Sequence, residues 1–230
     1  MDAIRANWHT LQERITRAAL AAGRAPAEIE VVAVTKTRTP QEVEAALDCG
    51  LRLVGENRVQ EAAAKKDQVH LPARWHLIGH LQSNKAGKAV ELFDLVESVD
   101  HLRLAAELDR RAGRAGRILE VLIQVNTSAA PQQSGAAPEQ LPELAAQLVA
   151  LPHLRLRGLM TIGALSPEEK VVRASFGRLR QLRDQLASQF PQADWGLLSM
   201  GMSGDFELAI AEGANLLRLG TALFGGARQA

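Results

Sequence analysis

The sequence predicts an α/β protein folded as one (β/α)8 TIM-type barrel with an extra N-terminal helix and no C-terminal β domain. Three observations predict it. Eight short apolar, β-branched runs recur along the 230 residues. They are nearly continuous in apolar side chains rather than alternating, as strands covered on both faces are. Helical patterns separate them, and the βα count fits a barrel of near-typical length.

In chain order the candidate strands are residues 30–35, 51–55, 75–79, 95–99, 118–125, 154–162, 195–200 and 216–220. Helical spacing marks 40–48, 59–69, 81–92, 102–112, 138–150, 167–189 and 205–213 between them. Two of these helices open on strong start signals. Thr39-Pro40-Gln41-Glu42 offers an N-cap threonine, proline at the first helical position and glutamate three residues after the cap, and Ser166-Pro167-Glu168-Glu169 repeats the arrangement. One helix is then missing after the eighth strand. Residues 3–22 supply it: Ile4, Trp8, Leu11, Ile15 and Ala19 recur at helical spacing, with Gly23 at the stop position. A doubly wound open sheet would carry a glycine-rich turn after its first strand, where this chain has Thr35-Lys36-Thr37-Arg38. The stretch 128–138 reads as a mobile loop after the fifth strand. The loosest segments, 113–116 and 128–138, are each too short for an interdomain linker, so residues 1–230 are read as one domain.

Composition excludes several classes. With 27 Lys+Arg against 26 Asp+Glu the net charge is +1, without the basic footprint of a general nucleic-acid binder. No apolar run is long enough to span a membrane, and the first ten residues lack a signal-peptide layout. The single cysteine, Cys49, excludes an intramolecular disulfide and fits a reducing compartment; it is expected to pack. A cytoplasmic location is expected. His76 and His80 lie on a strand and its exit, not on one helical face, so no metal site is expected. Ser199 and Ser203 lack a nucleophile-elbow context. The arginines at 173, 178, 180 and 183 read as the solvated face of a helix.

A barrel does its chemistry just past the C-terminal ends of its strands. Those positions hold Lys36, Glu56-Asn57, His80, Asp100, Asn126, Thr161, the run from Ser199 to Ser203, and Arg218 with Gly220-Thr221. Lys36 follows Val31-Val32-Ala33-Val34-Thr35 directly. A lysine partly withdrawn from water there would have a lowered pKa and an amine able to attack a carbonyl. A lysine whose stem lies along the rim and whose head meets water fits the spacing as well. Met200-Gly201-Met202-Ser203-Gly204-Asp205 and Gly220-Thr221-Ala222-Leu223-Phe224-Gly225-Gly226 follow the last two strands, the habitual phosphate position of this fold. The same glycines would also serve plain tight turns.

Six ordered motifs carry a family resemblance: Val34-Thr35-Lys36-Thr37, Gly55-Glu56-Asn57-Arg58-Val59-Gln60-Glu61, His76-Leu77-Ile78-Gly79-His80-Leu81-Gln82-Ser83-Asn84-Lys85, Gly158-Leu159-Met160-Thr161-Ile162, Leu198-Ser199-Met200-Gly201-Met202-Ser203 and Arg218-Leu219-Gly220-Thr221-Ala222-Leu223-Phe224-Gly225. Together they resemble the pyridoxal phosphate homeostasis proteins, relatives of the alanine racemase N-terminal barrel. The resemblance implies that Lys36 holds pyridoxal 5'-phosphate as an internal aldimine. It implies that Ser203, Gly220 and Thr221 cradle the phosphate, that Arg218 faces the pyridine nitrogen, and that Asn57, Ser199 and Met200 line the cofactor. The chain departs from the family pattern at Arg58, where tyrosine is usual. It departs again at Ala129-Ala130-Pro131-Gln132-Gln133-Ser134-Gly135, where a charged loop is usual, and at Gly163-Ala164, where prolines are.

The resemblance implies a non-enzymatic carrier that holds the cofactor for intracellular homeostasis and delivery, with apo-enzymes that use pyridoxal phosphate as acceptors and a monomer expected. The alternative is a racemase-like enzyme acting on amino acids. Against it, the chain has no tyrosine to serve as an opposing acid, and no residues are left for a second β domain. An arginine against the ring nitrogen also weakens the ring as an electron sink. An aldolase using Lys36 on a sugar phosphate fits the barrel arithmetic but not the ordered motifs.

Overall fold

A computed structural model describes residues 1–226 apart from Ala129 and Pro131. Eight parallel strands close on themselves in sequence order. They are β1 (Glu30–Val34), β2 (Leu53–Glu56), β3 (Arg74–Leu77), β4 (Leu95–Val99), β5 (Leu119–Gln124), β6 (Leu154–Met160), β7 (Leu197–Ser199) and β8 (Leu216–Leu219). Closure runs through β8 against β1, with Val31 opposite Leu217 and Ala33 opposite Leu219.

Each strand divides its side chains between two cores, because alternate residues face opposite sides of a sheet. Val32, Leu53, Leu95, Leu122, Met160 and Leu216 fill the barrel, with Ile78 and Leu197 packed against them. Val31, Ala33, Val54, Trp75, Leu77 and Val96 face outward into a second, larger core shared with the helices. Both faces are covered along most of each strand, and so the strands read as continuous apolar runs. Fully burying a valine or leucine contributes about 1.5–3 kcal/mol.

The outer ring consists of α1 (Asp2–Ala21), α2 (Pro40–Asp48), α3 (Val59–Lys65), α4 (Ala86–Leu92), α5 (Leu102–Arg114), α6 (Leu141–Val149), α7 (Glu169–Gln189), α8 (Phe206–Ala211) and the single turn α9 (Thr221–Phe224). The helix α1 occupies the place left open behind β8. Asn7 donates to the carbonyl of Leu223 at 3.0 Å, and Arg14 pairs with Glu207 on α8. Gly23, at φ +70°, ends α1, and the next amide, from Arg24, returns to the Ala19 carbonyl at 2.9 Å.

The start of α2 is the expected reciprocal box: the Glu42 amide donates to Thr39 Oγ1 at 3.2 Å and the Thr39 amide to Glu42 Oε2 at 2.8 Å. The second start signal is displaced. Helix α7 begins at Glu169, and Ser166 Oγ instead accepts from the Glu168 amide at 3.1 Å, closing a local turn ahead of the helix. The helical patterns at 59–69, 81–92 and 138–150 each resolve into a short α-helix adjoining a 3-10 turn, at Lys66–Gln68, Ser83–Lys85 and Pro138–Gln140. The loop after β5, expected as mobile, is organised where it is described. Asn126 Nδ2 donates to the carbonyls of Ala130 and Gln133, and Ala136 forms a parallel bridge with Val125. The divergent residues Ala129 and Pro131 lie outside the described residues.

Two of the three tryptophans, Trp75 and Trp195, are buried in the layer between barrel and helices. Among the described residues, no helix is long and apolar enough to cross a membrane.

Candidate cofactor site

The C-terminal mouth of the barrel holds a cavity of about 330 Å³ lined by Val34, Lys36, Asn57, Ile78, Met160, Ile162, Met202, Ser203, Gly204, Arg218, Gly220 and Thr221. The apolar walls are the top layer of the barrel's own interior. Asn57 reaches the cavity because the chain after β2 passes hard against β3. A side chain at Gly79 would strike the Asn57 backbone, so only glycine fits there. Glu56, one residue earlier and also expected at the mouth, points to the outside of the barrel, where Thr35 Oγ1 donates to Glu56 Oε1 at 2.6 Å and the Lys65 ammonium pairs with the same oxygen. Strand alternation separates these neighbours.

Lys36 stands exposed at the rim rather than withdrawn from water. The lysine that is buried is Lys65 on α3, 7 % exposed, which a helical pattern with polar neighbours did not advertise.

The loops after β7 and β8 are tied together. Ser203 Oγ accepts from the Ala222 amide at 3.1 Å, and the Arg218 amide donates to Gly201 O at 3.0 Å. Within the first loop, Asp205 Oδ1 accepts from the Met202 amide at 2.6 Å. Burial pushes the Asp205 carboxyl up, against that hydrogen bond and the charge of Arg218. Gly201 is left-handed at φ +92°, and a side chain on it would run into Ala209 of α8.

Arg218 is 4 % exposed, and a hydrogen-bonded ladder crossing the barrel holds it. Its Nη1 donates to Ser199 Oγ at 2.7 Å and its Nη2 to the Thr161 carbonyl at 2.8 Å. Ser199 Oγ in turn donates to Glu97 Oε2, and Glu97 Oε1 meets His76 Nδ1 at 2.8 Å. An ionised carboxylate only accepts, so Nδ1 carries the hydrogen there. His76 Nε2 is buried without a hydrogen-bond partner among the described residues. Burial alone would raise Glu97, but His76, Arg218 and Ser199 outweigh it and hold the carboxyl below its ordinary value. Burial lowers Arg218 from its ordinary value, opposed by Glu97 and Asp205. A register slip between Val96 and Val99 in β4 falls at Glu97 and Ser98, where a bulge re-aims side chains.

Of the eight residues expected around a cofactor, the cavity brings together Lys36, Asn57, Ser203, Arg218, Gly220 and Thr221. Ser199 lies one layer beneath, as a rung of the ladder. The Met200 side chain, on the residue just past β7, lies in the core between barrel and helices. Sequence reasoning missed His76 as a ladder residue, along with Glu97. The signal available was a charged or polar residue inside an apolar run, in Trp75-His76-Leu77 and in Leu95-Val96-Glu97-Ser98-Val99. A second cavity, of about 520 Å³, shares Asn57 and is lined by Arg58, Gln60, Glu61, His80, Gln82 and Lys85, among others. Among the described residues no group of three or more His, Cys, Asp or Glu side chains is placed to hold a metal ion.

The donor set is coherent. An amine at the rim, a guanidinium at the floor, two hydroxyls and glycine-bearing backbone on one side suit a small anionic ligand that carries a carbonyl and a ring acceptor.

Comparison with known proteins gives this arrangement a class. The chain matches the alanine racemase N-terminal domain family over residues 1–228. Alanine racemase from Clostridium difficile shares the fold at a TM-score of 0.73 but only 15% identity, covering 58% of that chain. Much nearer are the pyridoxal phosphate homeostasis protein of Pseudomonas aeruginosa, 45% identical over 98% of this chain and 96% of that protein, and that of Escherichia coli, 41% identical over 98% and 97%. PipY from Synechococcus elongatus, solved with PLP (pyridoxal 5'-phosphate) bound, is 41% identical, with a TM-score of 0.83 over 92% of this chain and all of that one. The chain belongs to the pyridoxal phosphate homeostasis protein family, within the wider set of alanine-racemase-type barrels.

Proposed function

We propose that this chain binds pyridoxal 5'-phosphate in the 330 Å³ cavity and serves in the cofactor's intracellular homeostasis and delivery, without turnover of its own. The observation that carries the reading is the convergence on one cavity of Lys36, Arg218 and the two joined loops bearing Ser203, Gly204, Gly220 and Thr221. The relatives' name and the bound PLP of PipY support it.

Bound, the cofactor would supply an aldehyde carbon to amines and a ring able to take up electrons. Lys36 provides the rim amine that captures the aldehyde covalently, with loss of water. Ser203, Thr221 and the backbone of Gly204 and Gly220 hold the phosphate, and Asn57 bounds the cavity toward α3. Arg218 has only hydrogens to offer, so it donates to a ring nitrogen and leaves it without a proton. Ser199 and Glu97 keep its guanidinium in place, and Met200 acts from the outer core by packing.

That ring environment gives a weak electron sink, and the chain has no tyrosine to face Lys36 across a reacting carbon. The following experiments test the reading. Borohydride reduction followed by peptide mapping should find the adduct on Lys36, and the yellow colour should vanish in Lys36→Ala; an adduct mainly on Lys85 would overturn the assignment. Holo-protein given single L-amino acids in heavy water should show no sustained α-deuteration, while releasing cofactor to an apo-enzyme. Multiple-turnover exchange lost in Lys36→Ala would make the racemase-like reading the better one. Ser203→Ala should weaken binding by about 1.5–3 kcal/mol, the worth of a hydrogen bond to a charged group, and pyridoxal without its phosphate should bind worse still.

A further inference from the structure

We propose that Lys65 and Glu56 are positioning residues that lock the turn carrying Lys36 from behind the barrel wall. The inference rests on the reading of Lys36 as the attachment residue.

Lys36 is the second residue of a four-residue turn, closed where the Arg38 amide donates to the Thr35 carbonyl at 3.0 Å. The third residue, Thr37, sits at φ +62°, and among the described residues it is the only non-glycine in the left-handed region. A β-branched residue rarely goes there, and it stays only when its surroundings over-determine it.

Those surroundings are specific. The Thr35 amide donates to Gly55 O at 2.9 Å as the last rung between β1 and β2. Lys65 Nζ donates to the Thr35 carbonyl at 2.7 Å, so that oxygen takes the turn's own amide and an ammonium together. Glu56 Oε1 receives both the Thr35 hydroxyl and the Lys65 ammonium. One turn earlier on α3, Glu61 Oε2 accepts from the Thr37 amide at 3.4 Å. On the far side, buried Arg38 donates to the carbonyls of Gly225 and Gly226 at 2.8 and 3.1 Å and lies over the Phe224 ring. Backbone on both sides of Lys36 is therefore held by side chains from α3 and β2, while its own side chain projects freely at the rim.

Stability alone is a weak reason for the charges. Glu56 is fully buried and Lys65 nearly so, and a buried ion pair is often replaceable by apolar residues at no loss. Burial pushes the Glu56 carboxyl up despite its hydrogen bonds from Lys65 and Thr35, and its Oε2 has no hydrogen-bond partner among the described residues. What the pair does supply is a donor that reaches the Thr35 carbonyl from outside the sheet and a carboxylate that fixes that donor and the Thr35 hydroxyl together.

The test uses the full chain freed of cofactor and compares wild type with Glu56→Gln/Lys65→Met. Two quantities are read: the rate at which Lys36 captures pyridoxal phosphate covalently, and the affinity for pyridoxine phosphate, which has no aldehyde. The double variant should bind pyridoxine phosphate as wild type does, yet capture the aldehyde about ten- to a hundredfold more slowly, as small misplacements of a reacting group do. Lys65→Arg should restore most of the rate. A rate within twofold of wild type would overturn the proposal, as would a parallel fall in pyridoxine phosphate affinity. If the double variant does not fold, Thr35→Val, which removes one tie only, is read in the same way. Wild type capturing the aldehyde at Lys85 rather than Lys36 would instead overturn the reading on which this inference rests.

Discussion

Two glutamates, Glu56 on β2 and Glu97 on β4, are both fully buried in the same barrel, and their carboxyls move in opposite directions. Glu97 lies inside, between His76 and Ser199, with the charge of Arg218 beyond, and both of its oxygens are used. Glu56 lies outside, with Lys65 and Thr35 crowded on one oxygen and the other bare. Burial costs each of them the same kind of energy. The difference is how many donors are arranged to oppose it, and that decides whether the charge is comfortable.

The largest expected effect comes from removing a cation. Arg218→Leu takes away the buried cation beyond Ser199, leaves Glu97 with His76 and Ser199 alone, and should cost about 3–5 kcal/mol in urea unfolding, together with cofactor binding. Lys65→Met should cost clearly less, because Glu56, already raised, takes up a proton instead. Equal losses would erase the contrast.

Next is Ser199→Ala, which strips the rung between Arg218 and Glu97. Stranding a buried donor and acceptor should cost about 1–3 kcal/mol by the same measurement. A neutral result would mean that Arg218 and Glu97 meet directly without it.

The smallest effect is the most diagnostic. Glu97 has its folded pKa below the ordinary value of 4.5, so its stabilisation is present above that value and lost as pH falls through the folded pKa. Glu56 has its folded pKa above 4.5, so its contribution is full below that value and lost as pH rises through the folded pKa. Measured against wild type, Glu97→Gln should therefore recover stability on acidification, and Glu56→Gln should gain it as pH rises from about 4.5. Slopes of the same sign would refute the comparison.

The barrel itself was legible, because strands covered on both faces leave continuous apolar runs and Thr39-Pro40-Gln41-Glu42 spells a helix start. Lys36 was legible as the polar residue that follows such a run, and Arg218 as a charge set inside one. The helix starts after residues 81 and 138 were not, since a 3-10 turn and an α-helix share apolar spacing over so few residues, and the start after 166 was not, because Ser166 Oγ closes a local turn instead of capping α7. Neither cluster of buried charge could be read. Whether Glu56 faces in or out depends on one residue of strand register, and Lys65 on a seven-residue helix looks like any solvated lysine until α3 is laid against β1. Met200 was misplaced for the same reason: alternation sends Ser199 and its neighbour to opposite sides of the wall.

The burial of the aromatic residues has an optical consequence. With no tyrosine in the chain, near-ultraviolet emission belongs to three tryptophans, none of which lines the cavity holding Lys36. Trp75 looks outward from β3 with the Lys66 ammonium 5.8 Å from its ring, and Trp195 donates its indole hydrogen to the Phe190 carbonyl at 3.0 Å. A chromophore seated at Lys36 would therefore dim these indoles by energy transfer through the wall rather than by contact. The chain carries its own distance-sensitive reporter of an occupied barrel, one that leaves every residue of the mouth untouched.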